Sequence, residues 1–241
     1  MIGQLHKFNV DKDDIERLKA FEPRFRFELI DDNVFSDIVE GCKDWTVFKD
    51  LIPIMADGDS NYWCLYIAGA MKGMVCHLQH DMINLEPKFK NVSNFISAIE
   101  THIKDDIWDF YEIDNDIFDF PSKKDLSQFT ERKKIIDCLS TELKTETDEE
   151  RRQHLSFSIM VLTSIDEIEA NIYPFLYSDD VCIQERAIYI LGFHKYKLAI
   201  EILTDLETTA MPPGPSVAKT ALKITFRNIL SKNNGVRANG T

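Results

Sequence analysis

The pattern of apolar and polar positions changes twice along the chain, near residue 47 and again at Pro121. Before 47 it predicts two short helices. Asp11-Lys12-Asp13-Asp14 opens the first, with acids at the positive end of the helix dipole and Ile15, Leu18 and Lys19 on one face. Val34, Phe35, Ile38 and Val39 have helical spacing and predict the second over 33–42.

From 47 to 80 the runs are short, aromatic and β-branched, and they predict a meander of antiparallel strands. "VFKDLIPIMA" carries Pro53 and reads as an edge or irregular strand. "NYWCLYIAG" (61–69) reads as the central strand and "GMVCHLQ" (73–79) as the third. "DGDSN" joins the first two, and the Gly-bearing stretch from Gly69 to Gly73 makes the second hairpin loop. "VSNFISAIETHIKDDIWDFY" (92–111) then predicts a helix capped by Ser93 or Asn91, with Phe95, Ile96, Ile99, Ile103 and Ile107 at helical spacing.

Beyond Pro121 the pattern is helical almost to the end. Predicted helices span 126–144, 149–163, 166–177, 180–193, 196–208 and 215–231, and the Gly/Asn-rich tail "NNGVRANGT" is expected to fray. "YSDDVCIQERAIYILGFHKYKLAIEILTDLET" pairs two apolar helices across a short turn, with Gly192 placed as a C-cap. A similar pair precedes it and a partial one follows, as in stacked helical hairpins that bury their faces against neighbours. The predicted fold class is an α+β N-terminal domain with an antiparallel sheet (1–120), followed by an all-α helical-hairpin domain (121–241).

Composition sharpens this picture. With 241 residues, 44% of them hydrophobic, the chain can bury a sizeable core. No apolar run approaches the ~20 residues that span a bilayer, and "MIGQLHKFNVDKDD" holds no apolar signal-peptide core. Five cysteines, Cys42, Cys64, Cys76, Cys138 and Cys182, stand scattered and never as CxxC, so reduced thiols and a cytoplasmic location are expected. Cys64 and Cys76 read as small buried hydrophobes.

The net charge of −13 is unevenly distributed. Residues 1–120 hold 24 Asp and Glu against 12 Lys and Arg, and residues 121–241 hold 17 against 16. Nucleic acid is therefore not expected as a partner, because phosphate binding needs a basic face, and with no spanning apolar run no membrane partner is expected either. A basic protein partner is expected instead, drawn in by the acidic half.

The densest acid lies in "DDIWDFYEIDNDIFDFPSKKD" (105–125), with eight acids and two lysines. Asp105, Asp106, Asp109, Glu112, Asp114, Asp116 and Asp119 interleave there with Trp108, Phe110, Tyr111, Phe118 and Phe120. Asp105, Asp106, Trp108, Asp109, Tyr111, Glu112, Asp114, Asp116 and Asp119 form the candidate partner-binding set: aromatic anchors beside steering acids. The competing reading is a helix end with its aromatics in the core and its acids in water.

Catalytic and metal chemistry have no such concentration. Asp57, Asp59 and Asn61 alternate as at the start of an EF-hand loop, but the sixth and twelfth positions are Tyr62 and Ala68 instead of Gly and Glu. A solvated hairpin turn explains them better. His77, His80 and Asp81 lack a third ligand nearby in sequence, and His6, His102, His154 and His194 are isolated. No Ser-His-Asp order, P-loop or Gly-x-Gly-x-x-Gly is present. No cofactor, metal or catalytic residue is predicted.

The segment from Phe48 to Ile99 resembles the SUKH superfamily. The matching elements are Leu51-Ile52-Pro53-Ile54, the turn "DGDSN", the strand Tyr62-Trp63-Cys64-Leu65-Tyr66, Gly73-Met74-Val75, His80-Asp81, and Asn91-Val92-Ser93-Asn94-Phe95-Ile96, like the family's closing Ser-x-x-Phe helix. The family's Leu-Pro-x-Asp-Tyr opening and Asn-Gly-Gly are not evident near 22–45. The C-terminal pattern resembles HEAT-like repeats, best over 179–206 through Asp180, Val181, Ile183-Gln184-Glu185-Arg186-Ala187, Leu191-Gly192 and Ala199-Ile200. Bacterial SUKH members are often immunity proteins of polymorphic toxin systems. The resemblance implies a cytoplasmic, non-enzymatic immunity protein that occludes a cognate toxin domain, such as a nuclease. The alternatives are a general protein-interaction adaptor using the helical surface and a hydrolase assembled from residues distant in sequence.

Overall fold

Asp11 accepts a hydrogen bond from the Asp13 amide at 2.8 Å and so starts the first long helix where the acid run predicts it. A computed structural model describes residues 1–24, 26–80, 84–102, 117–122, 126 and 129–237. They divide into two compact units, Met1–Leu162 and Thr163–Thr241. In chain order the first unit holds α1 (Ile2–Leu5), α2 (Lys12–Ala20), β1 (Glu28–Leu29), α3 (Asp32–Gly41), β2 (Leu51–Ala56), β3 (Tyr62–Tyr66), β4 (Val75–Leu78), β5 (Pro87–Phe89), α4 (Val92–His102), α5 (Arg132–Leu143) and α6 (Glu149–Leu162).

The five strands form one antiparallel sheet in the order β1-β2-β3-β4-β5, with β3 central as expected. β1 and β5 have two and three residues, too few to leave a periodic signal. β2 is an interior strand despite Pro53. It tolerates the missing donor because β1 pairs only with Met55 and Ala56, and because the β2–β3 register shifts between Pro53 and Met55. The strand also starts later than predicted, since Thr46–Phe48 is a 3₁₀ turn.

Both faces of this sheet are covered. Trp63, Leu65, Val75 and Phe89 share a core with Ile15 and Leu18 of α2 and with Phe95, Ile96 and Ile99 of α4. The Trp63, Phe89 and Phe95 rings lie 4.8–5.9 Å apart by centroid, and burying each such side chain contributes roughly 2–3 kcal/mol. Alternate residues point the other way. Tyr66 meets His154 of α6, and Asp50 just before β2 faces Arg151. β2 and β4 are therefore buried almost continuously, without the alternation of a one-sided sheet. This also explains why the first unit runs to Leu162, whereas the sequence put the break at Pro121: α5 and α6 pack together, and α6 supplies partners to the sheet.

The start of α4 is fixed twice. Asn91 Oδ1 accepts from the Asn94 amide at 2.7 Å, and buried Asp14 accepts from the Ser93 amide at 3.0 Å and the Ser93 hydroxyl at 2.9 Å. Burial pushes the Asp14 carboxyl up, and the Ser93 bonds only partly offset this.

The second unit is helical: α7 (Ile168–Asn171), α8 (Val181–Phe193), α9 (Ile200–Thr209) and α10 (Gly214–Arg237), with 3₁₀ turns at Ile165–Glu167, Tyr173–Tyr177 and Lys197–Ala199. The helix predicted over 166–177 is broken, because Pro174 lacks an amide donor. Asp180 caps α8 through the Cys182 and Ile183 amides at 2.8 and 3.1 Å. Gly192 is not a C-cap. It lies inside α8, where a Cβ would sit 2.8 Å from Ala221 Cβ of α10; the left-handed residue after the helix is Lys195, at φ 52°. The backbone of α10 stays helical through Arg237, past the predicted fraying point.

The helical pairs recur at a fixed interval along the chain. Glu149 and Val181 open helices 32 positions apart, and the same interval separates the turns at Ile165 and Lys197 and the helix starts at Ile168 and Ile200. Asp148 and Asp180 each accept an amide three residues on, from Arg151 and Ile183.

Candidate functional site: an acidic, half-covered helix

Asp31 starts α3 by accepting from the Asn33 and Val34 amides at 2.8 and 2.9 Å. The helix is amphipathic, yet none of its residues is buried. Phe35 packs against the core from its rim, Ile38 and Val39 are half-buried, and Val34 is 40% exposed. Trp45, just beyond the helix, is 39% exposed. Large apolar groups half-open to water are the raw material of an interface.

Acids surround them. Asp37 and Asp44 are exposed and make no ion pair among the described residues; Glu40 pairs with Lys43, and Asp32 with the chain's amino terminus. The setting is acidic throughout: residues 1–162 carry 32 Asp and Glu against 20 Lys and Arg, and residues 163–241 carry 9 against 8. Helical spacing did reveal α3, but that spacing looks the same whether or not a second layer covers the helix. The usable signal was the acids beside Trp45.

Of the predicted partner-binding set, Asp105, Asp106, Trp108, Asp109, Tyr111, Glu112, Asp114 and Asp116 lie outside the described residues. Asp119 is engaged within the fold. Its Oδ2 accepts from the Lys90 amide and from Asn94 Nδ2, both at 2.8 Å. Phe118 and Phe120 are buried, the first 5.6 Å from the Phe89 ring and the second 5.8 Å from Phe129.

The "DGDSN" turn is closed by its own groups. Asp57 accepts from the Asp59 and Asn61 amides at 2.8 and 3.2 Å and from Asn61 Nδ2 at 2.8 Å. Asn61 Oδ1 takes the His80 amide and Nδ1, each at 2.9 Å, which places a proton on Nδ1. Gly58 and Ser60 supply the left-handed backbone at φ 85° and 64°. Asp57 is buried, not solvated as the sequence suggested. Burial alone would raise its pKa, but His77, whose Nε2 lies 3.6 Å from Oδ2, and the hydrogen bonds from Asn61 and the turn amides outweigh that and hold the carboxyl well below the usual range. The turn delivers Trp63 to the core, where His77 stacks on it at 4.3 Å.

The described histidines do not assemble a reaction centre. Tyr66 donates to the Leu85 carbonyl at 2.5 Å, so its contact with His154 Nε2 at 3.1 Å needs the proton on Nε2. Burial, helped by Arg151, lowers the His154 pKa to about 3, and burial lifts Tyr66 well above its ordinary value. Both are sealed from solvent and locked in one protonation state. Arg151 next to them bridges Asp50 at 3.6 Å, Glu146 at 3.3 Å and Glu142. This network joins α6 to the sheet. Among the described residues no group of three or more His, Cys, Asp or Glu is placed to hold a metal ion, and no helix is long and apolar enough to cross a membrane.

Comparison of the chain with family models, curated proteins and solved structures found no match.

Proposed function

We propose that the chain is a non-enzymatic binding protein that occludes a basic protein partner, with a cytoplasmic immunity protein of the SUKH type as the specific form of that reading. The observation that carries it is the α3–Trp45 surface: apolar groups half-open to water, flanked by Asp37 and Asp44 with no ion pair among the described residues, in a unit with a net charge of −12. The apolar groups would supply contact area, and the acids would speed encounter and select against acidic competitors. Asp105 to Asp116 carry the same chemistry and belong to the proposal. The meander followed by α4 agrees in order with the SUKH resemblance. The 32-residue recurrence supports HEAT-like hairpins at the C-terminal end.

The test is substitution on the acidic surface. Asp37→Lys with Asp44→Lys, and separately Asp109→Lys with Asp114→Lys and Asp116→Lys, are expected to weaken binding of the basic toxin domain that this reading assigns as partner. Trp45→Ala is expected to cost about 2 kcal/mol or more of affinity if it is an anchor. Unchanged affinity in all three variants defeats the electrostatic and anchoring parts together.

A second reading, an adaptor that binds through its helical part, is favoured by the exposure of Tyr177 and Leu198, each 70%, and of Ile165, 51%. Tyr177→Ala with Leu198→Ala separates the two: an adaptor of this kind loses its partner, whereas the α3 reading predicts full retention.

A further inference from the structure

The first unit, for all its acid, contains a cationic hollow. A groove of about 390 Å³ opens between the β3–β4 loop, the β5–α4 junction and the first turns of α5. Lys72, Lys90 and Lys134 line it, one from each of these segments, against one acid among the described residues, Glu131. All three lysines are exposed, and neither Lys72 nor Lys134 makes an ion pair among the described residues. Where acids outnumber bases 32 to 20, three lysines converging on one concavity without carboxylate partners form an unusual arrangement.

We propose that this groove binds a phosphorylated small molecule of mononucleotide size, a nucleoside phosphate. Three ammonium groups against one carboxylate leave a net charge of +2 at the site, which suits a phosphate group, and lysine is a compact point-charge donor for phosphate oxygens. Asn91 adds a neutral donor at the groove's lining: its Oδ1 is taken by the Asn94 amide, so Nδ2 is the group left to donate. The remaining wall is apolar. Met74 and Ile135 offer apolar contact to a base, while the Phe129 ring carries Lys90 Nζ 4.8 Å over it. Glu131 offers an acceptor for a ribose hydroxyl. The volume lies near the lower end of the roughly 300–1,000 Å³ of small-molecule sites, enough for one nucleotide and too little for a strand.

The groove carries its own reporter. Cys138 lines it as an exposed free thiol, and Cys182 is an exposed free thiol in the other unit. The full-length chain should be titrated with ADP, AMP and inorganic phosphate by calorimetry at low salt, with alkylation of the two cysteines followed in parallel. The expected result is one saturable site that prefers ADP over AMP and AMP over phosphate. Lys72→Ala with Lys134→Ala should weaken ADP binding about tenfold, the size of 1.4 kcal/mol of lost charge contact. Bound ADP should slow alkylation of Cys138 and leave Cys182 unchanged. Absence of saturable ADP binding, equal affinity in the lysine variant, or equal protection of both thiols each overturns the proposal. So does tighter binding of a short polyglutamate peptide that displaces ADP, because it would assign the lysines to docking of an acidic protein segment. The partner-binding reading through α3 is untouched by any of these outcomes.

Discussion

Gly192 shows how one residue can be read correctly as special and wrongly in kind. Near the end of an apolar helix it reads as a C-cap, a local inference. Its role depends on Ala221, 29 positions away, whose Cβ and Cα would lie 2.8 and 3.0 Å from an added methyl. Gly192→Ala gains about 1 kcal/mol of helix propensity but meets backbone, and overpacking of this kind costs roughly 1–3 kcal/mol. A melting temperature lowered by a few degrees is expected; a rise would mean that α8 and α10 separate at little cost. His154 makes the residue-scale prediction for pH. The fold holds it neutral, with a pKa of about 3, whereas the unfolded chain protonates near 6.5. Stability from this site is complete above about pH 6.5 and falls as pH drops toward 3, because the unfolded state takes up the proton first. His194, lowered by burial to about 4, acts in the same direction. The urea midpoint should therefore fall between pH 7 and pH 5, and His154→Gln should flatten the dependence. A wild-type midpoint constant over that range contradicts the buried neutral state.

At the scale of elements, the sequence was most legible where a signal is local. Asp11 and Asp180 mark helix starts because a cap needs only the next few amides. The aromatic run Tyr62–Tyr66 announces a strand because those side chains fit a buried pleat. Signals that depend on distant chain were hidden. β1 acquires its identity only by pairing with Met55 and Ala56. β2 passes for an edge strand until the shortness of β1 shows how Pro53 is accommodated. The incomplete covering of α3 leaves no trace in its helical spacing, and only the acids beside Trp45 hint at it. An element-scale prediction separates interface from scaffold there. Because Asp37 is exposed and contributes nothing to the core, Asp37→Lys should shift the unfolding free energy by less than about 0.5 kcal/mol while weakening partner binding. Loss of stability parallel to loss of binding would make α3 a structural element instead.

At the scale of the molecule, charge and packing set the terms. The acid excess that points to a basic partner survives the revised boundary, since the unit ending at Leu162 carries −12 of the total −13. The boundary itself was not legible, because nothing in the pattern of α5 and α6 says that His154 and Arg151 serve the sheet. A truncation after Pro121 would strip those partners from Tyr66 and Asp50 and uncover one face of the sheet. The central claim, recognition of a basic partner by the acidic unit, is tested most directly by calorimetric titration of the chain with the cognate toxin domain of the proposed pair, at low and at physiological salt. The account predicts a one-to-one complex whose affinity falls as salt rises, because screening weakens exposed charge pairs. No complex, or a complex indifferent to salt, would contradict it.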